Sequence, residues 1–216
     1  MDTTLDDTDV LLAVDVQYDF LPGGALAVPD GDAVIAPIDA LARRFVARGA
    51  HLVLTQDWHP PRHGSFASSH PGKAPFETIE MPYGTQVLWP DHCVQGTRGA
   101  EITRGLESAH LAELVLRKGF RREIDSYSAF REVDRRTPTG LASYLRERGV
   151  KRLFLAGLAT DFCVAWSALD AMAEGFATHV VLDACRAIDT NGSLARAMAD
   201  MKAAGVIFCE TGDLMA

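Results

Sequence analysis

The chain has 216 residues, enough for one well-filled core and too few for two comfortable domains. With 48% hydrophobic and 23% charged residues, disorder is excluded as the default state. A net charge of -8 argues against a nucleic-acid binder, which needs a basic face, and no apolar run approaches the length of a membrane span.

Met1 to Asp9 is polar and acidic, without the positive flank and apolar core of a signal peptide. Val10–Val16 predicts the first strand, with Asp15 at its end. Asp32–Arg48 predicts an amphipathic helix, because Val34, Ile38, Leu41 and Phe45 recur at helical spacing and Gly49 supplies the stop. Leu52–Thr55 predicts a second strand that runs toward Asp57. From Trp58 to Gly99 periodicity lapses and Pro, Gly, Ser and His accumulate. The aromatics Trp58, Phe66 and Trp89, with four of the chain's seven histidines, mark this stretch as functional rather than disordered.

Leu114–Arg117 predicts a strand ending at Lys118, and Thr139–Arg148 a helix. Leu153–Ala156 predicts a strand that runs into Gly157–Cys163, followed by a helix over Asp161–Glu174. The strands His179–Leu182 and Val206–Cys209 flank a last helix, Ser193–Ala204. Several strand runs are continuously apolar, which suits strands covered on both faces. The expectation is α/β: three layers, α/β/α, around a mostly parallel sheet of about six strands, in one domain over 1–216. The four cysteines (93, 163, 185, 209) are scattered without a CxxC pair, so a reducing cytoplasm is expected.

Ligands of open α/β sheets bind beyond the carboxyl ends of the strands. Asp15, Asp57, Lys118 and the Gly157–Cys163 segment all fall at predicted strand ends, and parallel strands bring them to one edge. Cys163 falls in the first turn of its helix, with Thr160 or Asp161 as N-cap, where backbone N–H groups favour a thiolate. The N–H groups of Ala159 and Cys163 suit a developing oxyanion. Asp15, desolvated at the end of a buried strand, is a candidate general base, and Lys118 a candidate partner for it. Taken singly, each of the three is matched by a bland reading as a structural thiol, a salt bridge or a solvated lysine. A nucleophile, a base and a cation from neighbouring strand ends are more specific together.

Asp57 and His59, two residues apart at a strand end, point the same way and can share one ion. A third ligand has to come from the irregular stretch, where His63, Ser65, His70 and His92 are available. Three protein ligands plus water describe a catalytic metal. Phe20, Trp89 and Tyr127 are candidates for a slot that sandwiches a planar substrate.

Five segments carry a resemblance to a known family: Asp15-Val16-Gln17-Tyr18-Asp19-Phe20 with Gly23-Gly24; Thr55-Gln56-Asp57-Trp58-His59-Pro60; Trp89-Pro90-Asp91-His92-Cys93; Lys118-Gly119 with Asp125-Ser126-Tyr127-Ser128-Ala129-Phe130; and Gly157-Leu158-Ala159-Thr160-Asp161-Phe162-Cys163-Val164. In this order, over nearly the whole chain, they resemble the nicotinamidase family of the isochorismatase-like cysteine hydrolases. The resemblance implies hydrolysis of nicotinamide, and of pyrazinamide, through a thioester. It implies a catalytic triad at Asp15, Lys118 and Cys163, with an oxyanion hole at Ala159 and Cys163 and a cis peptide before Ala159. It implies one divalent metal (zinc first, then iron or manganese) on Asp57, His59 and His92, with Ser65 as a further candidate, and a substrate pocket at Phe20, Trp89 and Tyr127. His63 matches a position common in the bacterial members of the family without being assigned as a ligand. Tyr18 departs from the Asn of many relatives.

The expected partner is a small molecule, with no nucleic acid or membrane and with homo-oligomerisation left open. Three other readings compete: a sister amidase for another small amide, a metal-hydroxide hydrolase with a structural Cys163, and a non-catalytic binding protein on the same fold.

Overall fold

The computed structural model describes residues 4–215. Six parallel strands form the main sheet: β1 Asp9–Val14, β2 His51–Asp57, β5 Leu114–Lys118, β6 Arg152–Leu158, β7 Ala177–Arg186 and β8 Ile207–Cys209. Their spatial order is β5-β2-β1-β6-β7-β8. Every pairing in the main sheet is parallel, as continuous apolar runs between helices predict. Two further strands, β3 Thr78–Met81 and β4 Gly84–Val87, form a separate antiparallel hairpin inside the irregular stretch.

Helices cover both faces. Leu11 and Ala13 of β1 pack with Ile38, Leu41 and Phe45 of α1 (Ile35–Ala47). Val10, Leu12 and Val14 point the other way, into a cluster with α2 (Leu141–Glu147), α3 (Ala165–Ala173) and α4 (Ser193–Ala203). The period-two alternation of one fully buried strand therefore feeds two cores. A short α5 (Thr211–Leu214), opened by a capping box between Glu210 and Asp213, closes the chain on the α1 face.

At the amino ends of β1 and β6, Arg152 grips the buried Asp9 carboxylate at 2.5 and 2.6 Å and fixes the register in which Asp9 faces Arg152. At the carboxyl ends, Val14 faces Gly157. Gly157 has φ of 121°, and a Cβ there would overlap the Val14 backbone, so only glycine allows β1 and β6 to close at this point. The strand order reverses here: β1 leads to β2 on one side and lies beside β6 on the other. Such a switch point opens a crevice at the carboxyl ends.

Candidate active site

Asp15 follows β1 directly and takes a left-handed backbone, φ 50°, uncommon for a residue other than glycine. Its carboxylate is buried, with Oδ1 accepting the Thr55 hydroxyl at 2.6 Å. Oδ2 lies 2.8 Å from the Lys118 ammonium as an ion pair, yet no donor is aligned on it as a hydrogen bond. Cys163 Sγ is 3.4 Å from the same ammonium, and the Asp15, Asp57 and Cys163 atoms lie within 4.8 Å of one another. The strand-end residues of β1, β5 and the β6–α3 turn therefore meet.

Lys118 does more than pair with Asp15. It also contacts Asp57 Oδ1 and donates to the Ser126 carbonyl at 3.2 Å. One buried ammonium thus serves two buried carboxylates. Burial alone would lower its pKa, but Asp15 and Asp57 outweigh it and hold Lys118 well above the ordinary lysine value. Burial, helped by Asp57 and opposed by Lys118, pushes Asp15 up from the usual carboxylate value. Burial also raises the Cys163 thiol well above its usual value, against the pull of Lys118. The resting group is a thiol with a poised base beside it.

Asp57 Oδ2 stands 3.7 Å from His59 Nε2 and 4.0 Å from His92 Nε2. Nδ1 of His59 faces the Gly119 carbonyl at 2.9 Å, and Nδ1 of His92 faces the Pro90 carbonyl at 2.8 Å. A carbonyl only accepts, so each Nδ1 carries the hydrogen, and in the neutral rings both Nε2 lone pairs face Asp57. Donor atoms on one tetrahedral zinc stand roughly 3.3 Å apart, given bonds of about 2.0–2.1 Å, so this trio needs only small shifts to hold an ion. The charges fit as well, because Asp15 and Asp57 share a single ammonium and a divalent cation offsets the remaining negative charge. Burial and the neighbouring His59 push His92 down to about 4, which keeps its ring neutral and ready to ligate. Gly119 is required at this point: with φ of 67°, its Cβ would run into the His59 ring, whose Nδ1 would be 2.6 Å away.

The remaining loop candidates divide. His63 Nε2 faces the Arg121 carbonyl at 2.8 Å, so its Nδ1 accepts the Ser65 hydroxyl at 2.7 Å. Both His63 nitrogens are engaged, although His63 also lies close to His59 and Asp125 in a second group that could hold an ion. The Ser65 hydroxyl is turned to His63. His70 Nε2 is turned to the Gly64 carbonyl at 2.8 Å.

A pocket opens over these groups, and Asp57, His59, His92, Ala159 and Cys163 all line it. Phe20, Trp89 and Tyr127 line it as expected, joined by Phe162. Trp89 and Phe162 meet edge to face at 4.9 Å, and Phe20 leans on His92 at 5.6 Å. The Leu158–Ala159 peptide is cis, and Cys163 follows in a π-turn, Thr160–Val164, that runs into α3. Neither Thr160 nor Asp161 caps this turn. Asp161 accepts instead from the backbone of Ile188 and Asp189 and from the Ser193 hydroxyl, so it anchors the β7–α4 loop against the pocket.

The isochorismatase-domain family model matches residues 9–213, nearly the whole chain. The chain belongs to the isochorismatase family. Within that family it is 56% identical to a nicotinamidase of Acinetobacter baylyi over 91% of this chain and 89% of the relative. The solved structure of an Acinetobacter baumannii nicotinamidase and pyrazinamidase superposes with a TM-score of 0.94 at 53% identity, covering 98% of this chain and all of that one. A Pyrococcus horikoshii pyrazinamidase solved in complex with zinc is 34% identical, with a TM-score of 0.73 over 94% of this chain and 99% of that one.

Two pocket residues of this isochorismatase-family chain escaped assignment from sequence although they stand inside matched segments. Asp125 and Phe162 both line the pocket. Leu26 and Ile188 also line it, but lie outside every recognisable segment. Gln17 stands in the first matched segment but its supporting role emerges only in the structure: its amide takes the Asp57 N–H at 2.8 Å and gives to the Asp57 carbonyl at 2.8 Å.

Proposed function

We propose that this chain hydrolyses nicotinamide to nicotinic acid and ammonia, and pyrazinamide by the same route, with Cys163 as nucleophile. The observation that carries the reading is the meeting of Asp15, Lys118 and Cys163 in one buried pocket next to the Asp57–His59–His92 trio. Because burial keeps the thiol protonated, attack needs a base, and Asp15 Oδ2, ion-paired with Lys118 but with no donor aligned on it, is the acceptor beside it.

Asp15 takes the proton from Cys163 as Sγ bonds to the amide carbon. The carbonyl oxygen becomes an oxyanion, received by the N–H groups of Ala159 and Cys163. Asp15 returns the proton to the nitrogen, the C–N bond breaks, and ammonia leaves a nicotinoyl thioester. Asp15 then deprotonates a water that attacks the thioester, and the released thiolate recovers the proton. Lys118 stays charged throughout, orients Asp15 and offsets the negative charge on sulfur.

Asp57, His59 and His92 would hold a divalent metal, zinc in this proposal, which supplies a coordination position for the pyridine nitrogen. Phe20, Trp89 and Tyr127 then enclose the ring, with Ser65 supporting the site through His63. The test is ammonia release from nicotinamide and from benzamide, which lacks the ring nitrogen. The expected result is a clear preference for nicotinamide in kcat/KM. Equal rates would reject the anchoring role, and no release from nicotinamide would reject the function.

A further inference from the structure

The β3–β4 hairpin stands outside the main sheet, and in β4 both Gly84 and Thr85 are exposed. Gln86, by contrast, is buried, with 2% exposure. Burying a primary amide costs free energy unless its atoms are paired, so such a residue calls for a reason. The Gln86 Nε2 stands 2.7 Å from its own strand's Val87 carbonyl, 3.1 Å from Asp125 Oδ2 and 3.1 Å from the Tyr127 hydroxyl oxygen. A carbonyl and a carboxylate only accept, which fixes the amide orientation with NH2 toward the pocket wall. Its Oε1 accepts the Tyr83 hydroxyl at 3.1 Å.

Tyr127 and Asp125 lie on the connection between β5 and α2, where no helix or strand ladder holds them. Their side chains face the pocket, and the Tyr127 oxygen also receives the Trp89 indole N–H at 2.9 Å. Gln86 is thus a donor whose two N–H groups are shared among the Val87 carbonyl, Asp125 and Tyr127, and through which the hairpin meets two residues of the wall. We infer that Gln86 is a positioning residue for substrate: it fixes Tyr127 and Asp125, and with them the width of the aromatic slot. The inference rests on the reading of this pocket as the nicotinamide site.

A slot wall is used equally by the bound substrate and by the transition state, so its loss raises KM and spares kcat. Gln86→Leu keeps the volume and removes the donors. Loss of the donors shared by Asp125 and Tyr127 predicts a KM raised about fivefold or more, with kcat within about threefold. In a Tyr127→Phe background part of the effect is already spent, so the two substitutions are non-additive in kcat/KM. Gln86→Glu covers the case in which the leucine variant fails to fold. It keeps the shape but faces Asp125 with a second carboxylate, and its KM exceeds that of the unsubstituted chain.

A readout independent of turnover separates this inference from the functional reading. The Trp89 indole N–H signal in a nitrogen-15 NMR spectrum, identified with Trp89→Phe, shifts or broadens in Gln86→Leu because its acceptor, Tyr127, has lost its position. Unchanged KM, an additive double variant or an unmoved Trp89 signal would each overturn the positioning role. Failure of the unsubstituted chain to release ammonia while the Trp89 signal still responds would reject the functional reading and leave Gln86 as the anchor of the wall.

Discussion

Cys163 stands in the first turn after β6, where backbone N–H groups and the helix dipole favour a thiolate, yet its enclosure works the other way and raises the thiol well above its usual range. In the proposed mechanism proton removal therefore falls to Asp15, itself raised mainly by burial. The rate follows the ionised fraction of Asp15, so kcat/KM declines as pH falls through a value above the ordinary 3.8. The Thr55 hydroxyl stabilises the carboxylate form through its 2.6 Å bond to Oδ1. Thr55→Val removes that bond, raises the Asp15 pKa further, and moves the acid limb of the pH–rate profile to higher pH; a limb that stays in place would contradict the base assignment. Glu132 gives a stability test away from the chemistry. Burial, aided by Asp125 and opposed by Arg121, pushes its pKa up to about 7, and its Oε2 has no hydrogen-bond partner. The native state then keeps a proton that the unfolded chain releases near pH 4.5, so stability falls as pH rises from there toward 7. Glu132→Gln is expected to raise Tm relative to the unsubstituted chain at pH 8 and to leave it nearly unchanged at pH 4.

Among the elements, the six main strands were readable because buried parallel strands are written as continuous apolar runs, and Asp15, Asp57, Lys118 and Cys163, at or just past the ends of the first four, cluster at one edge of the sheet. Asp15, Asp57, Lys118 and Cys163 were therefore placed from sequence. The β3–β4 hairpin was not, since its short, largely exposed strands carry no core-facing alternation, and its one buried residue is the polar Gln86. The bridging of Asp15 and Asp57 by Lys118 was also hidden, because spacing along the chain does not say which carboxylate a cation will reach. Glycines are legible as turn signals, whereas the two tight approaches emerge only in three dimensions. Gly119→Ala would press a methyl group into the His59 ring and strain a left-handed backbone. It is expected to reduce bound zinc, measured by elemental analysis, with the fold retained by circular dichroism. Full zinc occupancy in that variant would contradict the role assigned to the contact. Gly157→Ala would instead strike the backbone of β1 and unseat the sheet, a loss of several kcal/mol of the kind produced by strain at a special backbone position, on the order of 3 kcal/mol.

For the whole molecule, the sheet brings the Asp57–His59–His92 trio and the Asp15–Cys163 pair together by using adjacent strand ends, and Lys118 contacts both Asp15 and Asp57. An ion that binds only the folded chain stabilises it by about 4 kcal/mol at a thousandfold excess over Kd. Chelation is therefore expected to lower Tm and to raise KM for nicotinamide, with both restored by added zinc; an unchanged Tm would mean that the trio holds no ion in solution. Among the described residues no helix is long and apolar enough to cross a membrane. The central claim is that the sulfur of Cys163 forms the bond to substrate. It is tested most directly by measuring ammonia release from nicotinamide by Cys163→Ala, with zinc content measured on the same preparation. The account predicts no release above background with zinc retained; substantial release by the zinc-loaded variant would contradict it.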